Sequence, residues 1–230
     1  MEPKIICTIG PASKKPSTLK AMAKAGMNIA RLNTKYGNEE EYDKIAHELR
    51  KIGVEILFDI KGHKELSWVK KKHFNYLAVS FAETKNQINK IKKELNNPKI
   101  KIISKIETKK GIKNIEQLIE SSNGIMVARG DLGKNMVLEE LPIFQKVIIK
   151  KCNQKQKFVV TATEMLLSMT KSKIPSRAEV SDVANAVLDG SNALMLSEET
   201  AIGKYPIEAV KTMKKVISKT EKNKNLILLC

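Results

Sequence analysis

The sequence predicts an α/β fold, a single closed (β/α)8 barrel of the TIM type. Three observations lead there. Eight short runs rich in β-branched residues alternate with stretches of helical period, the connections between them are only a few residues long, and the chain has 230 residues, within the ~200–400 that this architecture occupies. An open, doubly wound sheet is the competing arrangement, but no GxGxxG follows any strand and no GxxxxGK precedes a Ser or Thr.

The strands are predicted at 4–9, 28–33, 54–60, 76–81, 100–107, 124–130, 158–163 and 193–197. After the second, Tyr42, Ile45, Ala46, Leu49 and Ile52 recur at the spacing of one helix face, and after the fourth Ile88, Ile91 and Leu95 do the same. Ser17 and Thr84 are expected to cap their helices, because a side-chain oxygen there accepts an orphan backbone N–H. Gly26 and Gly53 are expected to end the helices before them. The barrel is expected over 1–223, with 224–230 as a short C-terminal tail closing on Leu226, Ile227, Leu228, Leu229 and Cys230.

Composition narrows the function classes. Hydrophobic residues make up 42% of the chain, enough for a sizeable core, yet no apolar run reaches the roughly 18 residues of a membrane helix. No membrane partner is expected, and the start lacks the apolar segment of a secretory signal. Cys7, Cys152 and Cys230 are odd in number and out of CxxC spacing, and His47, His63 and His73 show no metal-ligand spacing. That pattern argues against disulfides and zinc, and for a reducing, cytoplasmic location. The net charge of +17 comes from 38 Lys and four Arg, spread evenly and with only 4% aromatics. Nucleic-acid recognition usually needs Arg forks and stacking rings, so no nucleic-acid partner is expected. A solvated Lys-rich surface remains, which draws anionic metabolites.

A barrel of this kind places its chemistry at the C-terminal ends of the strands. The polar groups there are Arg31 and Asn33, Asp59 and Lys61, Ser80, Lys105 and Glu107, Arg129 to Asp131, Thr163 and Glu164, then Ser197, Glu198 and Glu199. Strand ends are polar simply because they meet water, which accounts for any one of these but poorly for Arg, Lys, Glu and Asp on adjacent strands. Glu107 and Asp131 end neighbouring strands, so their carboxylates could share a divalent cation. Only two protein ligands favour magnesium or manganese, which keep waters and borrow ligand oxygens from substrate. Lys105 and Glu107, two residues apart, point to the same interior. A cation, a Lys and the Arg31 guanidinium around one pocket suit a phosphoryl group or an enolate. The glycines of GIMVARGDLG let backbone N–H groups approach a carboxylate. Thr163 could bind the same ligand or relay a proton, though not as the general base itself.

The stretches KIICTIGPAS, AGMNIARLN, IISKIE, GIMVARGDLG, TATEML and SRAEVSDVANAVLDGSNALMLSEETAIGKYP closely resemble the catalytic barrel of pyruvate kinase, over about 4–220. The resemblance implies a barrel of the phosphoenolpyruvate/pyruvate type. It implies that Arg31 and Lys105 contact the transferred phosphoryl group and that Glu107 and Asp131 hold magnesium. The backbone amides of Gly130 and Asp131, with Thr163, would hold the pyruvate carboxylate, and Ser80 joins the substrate-binding set. Lys105 would stabilise the enolate, and Thr163 with Ser197 would belong to the proton path. On this reading, Lys105→Met is expected to abolish turnover with stability near wild type.

The chain also departs from the family pattern. The family inserts a lid domain after the third strand and adds a regulatory domain after the barrel; here a short loop joins Asp59 to Trp68, and both domains are expected to be absent. The family's RLNFSHG reads Arg31-Leu32-Asn33-Thr34-Lys35-Tyr36-Gly37, so Lys35 replaces a potassium-ligating Ser, and Ile60 replaces a Thr. Asn33 and Asp59 remain as a remnant monovalent-cation site. Tyr36 replaces a His on the nucleotide side, and Lys64 stands where potassium-dependent members have Glu. An ammonium from Lys35 or Lys64 could supply the charge of the ion, so no potassium requirement is expected. Glu164 and Glu198 replace Gln and Gly.

Three functions are compatible with these residues. One is phosphoryl transfer between phosphoenolpyruvate and a nucleoside diphosphate with magnesium. Another is a different reaction of a small 2-oxo or 2-hydroxy acid: phosphorylation, enolisation or decarboxylation. The third is a non-catalytic phosphoenolpyruvate- or partner-binding barrel. The expected ligand is a small carboxylate or phosphate, with a homodimer or a lid-supplying partner protein as the expected assembly.

Overall fold

The computed structural model describes residues 2–228. Eight parallel strands, β1 Lys4–Thr8, β2 Ile29–Asn33, β3 Glu55–Ile60, β4 Tyr76–Val79, β5 Lys101–Ile106, β6 Gly124–Ala128, β7 Phe158–Ala162 and β8 Ala193–Leu196, pair in chain order, and β8 closes on β1. Each lies within two residues of its predicted limits. Both faces of every strand are buried, which is why the strands read as near-continuous apolar runs. Inward residues fill the barrel: Ile6, Ile29, Leu57, Tyr76, Ile103, Met126, Val160 and Met195 pack among the small Ala78, Ala128, Ala162 and Ala193. Outward residues such as Ile5, Leu32, Ile56 and Leu77 meet the surrounding helices in a second, larger core.

The helix Glu39–Lys51 turns Tyr42, Ile45, Ala46 and Leu49 inward, and the helix Lys85–Leu95 buries Ile88, Ile91 and Leu95. Thr84 caps the latter, its side chain accepting the Gln87 N–H at 3.3 Å. Ser17 does not cap the first helix. That helix spans Pro16–Ala25 with Lys15 before it, because a proline suits the first helical position, where its missing N–H has no partner to lose. Gly26 and Gly53 end their helices with φ of 123° and 70°, values open to glycine at little cost. The last helix, Pro206–Leu228, packs on the helix Arg177–Leu188 and on Pro16–Ala25. It runs through 224–228, within the stretch expected as a short C-terminal tail; Leu229 and Cys230 lie outside the described residues.

The connection from β3 to β4 is closed by aromatic packing. Its helix, His63–Val69, buries Leu66 and Val69. Trp68 stacks on Tyr42 at 6.2 Å and meets Phe58 edge-on at 5.8 Å, while Phe58 meets Phe74 at 5.2 Å. Among the described residues, no helix is long and apolar enough to cross a membrane. Cys7 and Cys152 are free and buried, and burial pushes the Cys152 thiol up to about 12.

Candidate active site

The barrel interior changes character along each strand. On β2 the inward series runs Ile29, Arg31, Asn33; on β3 it runs Leu57, Asp59; on β5 it runs Ile103, Lys105 and on to Glu107. Pairing in register sets Asn33 beside Asp59 and Thr8 beside Arg31, so the charged residues reach one level. They face a cleft of about 780 Å³ at the C-terminal ends of the strands. Arg31, Asn33, Lys35, Asp59, Ser80, Lys105, Glu107, Gly130, Asp131, Thr163 and Ser197 all line it. Glu198 lines it as well, and Glu164 faces solvent.

Asp59, only 2% exposed, is the hub. Its Oδ2 accepts from Arg31 Nε at 2.9 Å and pairs with Nη2 at 2.8 Å, and its Oδ1 accepts from Lys105 Nζ at 3.1 Å and Ser80 Oγ at 3.3 Å. Lys105 Nζ also donates to Ser80 Oγ at 3.0 Å and pairs with Glu107 Oε1 at 3.1 Å. Glu107 Oε2 accepts the Phe81 N–H at 2.6 Å. Arg31 Nη1 donates to Thr8 Oγ1, a partner missed by sequence reasoning although the inward period of β1 pointed to it. Two cations and two carboxylates thus balance at the floor of the cleft.

The two carboxylates respond oppositely. Burial works to raise Asp59, but the Lys105 and Arg31 charges outweigh it and hold the carboxyl below its ordinary range. Burial raises Glu107, and Lys105 with the Phe81 N–H offsets this only in part. For Asp59 the sign is that of a depressed acid: its contribution is complete above the ordinary value of 3.8 and is lost as the pH falls through the lower folded value. Thermal stability is therefore expected to drop steeply below pH 3.8, and Asp59→Asn to flatten that limb in calorimetry across pH 2–6. Lys105→Met, expected from sequence to be neutral for stability, instead leaves Glu107 buried without its cation.

Asp131 stands apart from this hub. It sits in the short helix Arg129–Lys134, half-exposed, with Lys134 Nζ at 3.3 Å. Asn135, also missed, donates from Nδ2 to the backbone carbonyls of both Glu107 and Asp131, at 3.1 and 2.9 Å, and so ties the two together. Among the described residues no cluster of three or more His, Cys, Asp or Glu could hold a metal. Both carboxylates line the cleft, Glu107 buried and Asp131 half-exposed, and such a pair fits a hard divalent cation that completes its shell with water and ligand oxygens. Lys35 is exposed, its ammonium 5.1 Å from the Tyr36 ring centroid, while Arg31 and Lys105 are the cations on Asp59.

Backbone strain collects at the same rim. Phe81, Thr163 and Glu164 have φ of 51°, 78° and 55°, left-handed values that are costly for these residues and rarest for a β-branched Thr. Gly130 allows Thr163 to pack closely, since a Cβ there would lie 2.9 Å from Thr163 Cγ2.

The fold and the cleft define a (β/α)8-barrel protein that gathers charge at the C-terminal ends of its strands, where barrels of this kind carry their chemistry. The sequence matches the family described as pyruvate kinase, barrel domain, over residues 1–65 and 57–210. The chain belongs to the pyruvate kinase family. Curated proteins called pyruvate kinase share its sequence: that of Geobacillus stearothermophilus is 32% identical over 332 positions, covering 95% of this chain and 57% of the relative. Thermococcus litoralis has one at 32% identity covering 95% of this chain and 69% of its own, and Methanocaldococcus jannaschii one at 45% over 162 positions, 70% of this chain and 36% of its own. The chain thus spans little more than half of the first of these. An alignment of 332 positions exceeds the 230 residues of the chain, so a segment of that relative has no counterpart here. The two family matches meet at 57–65, at the end of β3 and the start of the short connection closed by Trp68.

Proposed function

We propose that the chain moves a phosphoryl group between phosphoenolpyruvate and a nucleoside diphosphate, with magnesium or manganese, through enolpyruvate. The observation that carries the reading is the buried Arg31–Asp59–Lys105–Glu107 set in a barrel of this family. Glu107 and Asp131 would hold the cation, which supplies a Lewis acid for the phosphoryl and enolate oxygens. Arg31, held by Asp59 and Thr8, presents its remaining N–H groups to a phosphate. Lys105 stands ready to compensate charge developing on the enolate oxygen. The amides of Gly130 and Asp131 and the Thr163 hydroxyl would receive the carboxylate, with Thr163 and Ser197 on the proton path to the methyl carbon.

Since Asp59 already has Arg31 and Lys105, turnover is expected to be the same in sodium as in potassium within about twofold. A many-fold rise with potassium would refute this part. A phosphorus NMR time course of phosphoenolpyruvate, magnesium and mixed nucleoside diphosphates tests the whole: phosphate should appear on a nucleotide. ADP with magnesium should also raise the melting temperature, by the equivalent of about 2.7 kcal/mol at a hundred times its dissociation constant. The short β3–β4 connection favours a second reading, in which the same half-site handles another 2-oxo or 2-hydroxy acid; stabilisation by pyruvate or phosphoenolpyruvate but not by ADP would select it.

A further inference from the structure

We propose that Arg129 is a positioning residue that holds Thr163 in its left-handed backbone conformation and so sets how its side chain meets the cleft. The guanidinium grips the strained turn from behind. Its Nε donates to the carbonyls of Ala162 and Thr163 at 3.3 and 3.1 Å, and its Nη2 donates to the Thr163 carbonyl at 2.6 Å. The fork is itself anchored: Nη1 reaches Asp182 on the helix Arg177–Leu188 at 2.8 Å and Gln145 at 3.3 Å. Positive φ at consecutive non-glycine residues persists only where surrounding contacts over-determine it. Here the over-determination comes from one planar five-donor group, which a lysine of equal charge could not reproduce. Because Arg129 directly precedes Gly130, the clamp also fixes the surface against which the Thr163 methyl packs. Arg129 thereby locks the end of β7 to the start of the helix Arg129–Lys134.

The chemical role of Thr163 rests on the function proposed above; the clamp on its backbone does not. Two readouts separate them. In the ligand-free protein, Arg129→Lys should shift or broaden the Thr163 methyl signal in a carbon–proton NMR spectrum, while the distant Thr84 and Thr220 methyls stay in place. An unmoved Thr163 signal would overturn the proposal. In the presence of pyruvate and magnesium, Arg129→Lys should slow both turnover and deuterium uptake into the pyruvate methyl group by about 10–100-fold, with KM within about twofold. Combined with Thr163→Ala, it should cause no further loss; multiplying effects would overturn the positioning role. If the wild type exchanges no deuterium while the Thr163 methyl moves in the variant, the clamp stands and the enolpyruvate chemistry falls. Asp182→Asn, which loosens the guanidinium without removing it, serves if Arg129→Lys does not fold. It should move the same methyl signal in the same sense, and failure to do so counts equally against the clamp.

Discussion

Lys105→Met is expected to lower turnover by about a thousandfold or more and to destabilise the fold by about 3–5 kcal/mol at neutral pH. The ammonium is buried between Asp59 and Glu107. Without it Asp59 keeps Arg31, but Glu107 keeps only the Phe81 N–H in a site that burial already makes unfavourable for its charge. Glu107 is an acid with a raised folded pKa, so its ionised form is the costly one. In the variant that pKa rises further, and the carboxyl takes up a proton as the pH is lowered. The stability gap between variant and wild type should therefore narrow from pH 8 to pH 5. Calorimetry at the two pH values, beside the phosphorus NMR assay, checks both halves. Equal turnover would remove Lys105 from the chemistry, and equal stability would contradict the pairing.

Phe58→Ala should cost about 3–5 kcal/mol and lower the melting temperature by about 10 °C. Phe58 is 1% exposed and touches three rings, Tyr42, Trp68 and Phe74. Its removal opens a cavity beneath the helix His63–Val69, whose seat is that aromatic group. Tyr42 donates to the Asn33 carbonyl on the cleft wall, so the disturbance should also weaken binding of phosphoenolpyruvate, unlike a cavity cut elsewhere in the outer core. Phe58→Leu, which keeps most of the volume, should cost less than about 1.5 kcal/mol. A drop in melting temperature as small for Ala as for Leu would show that the rings do not hold the connection.

The strands were legible because a barrel buries both of their faces, so each leaves a near-continuous apolar run with Gly, Pro or polar residues at its ends. The site was legible for a related reason. Charged residues such as Arg31, Asp59 and Lys105 stand at inward positions of otherwise apolar strands, and neighbouring strands place them at one height. Which charge meets which was not legible. Glu107 and Asp131 read as a pair on adjacent strands, and both line the cleft, but the sequence does not show that Lys105 also joins Glu107 to Asp59 or that Asp131 lies on a short helix beside Lys134. Those contacts depend on side-chain reach across the barrel, on which strand spacing is silent. Nor does sequence reveal the strain at Thr163, since a β-branched residue is the least expected one at positive φ. Ser17 misled because its hydroxyl matched a cap signal one residue beyond a proline that had already started the helix.

The chain contains one tryptophan, and it lies in the β3–β4 connection. Trp68 is stacked on Tyr42, whose hydroxyl holds the carbonyl of Asn33 beside Asp59. The protein therefore carries a built-in optical probe of its own cleft. Fluorescence emission excited at the indole band comes from a single site, two side chains from the charged floor, with no background from any other indole. A titration with phosphoenolpyruvate, with a nucleotide or with magnesium alone can be followed in the unlabelled wild type. The order in which each changes the signal would give the order in which the cleft is filled.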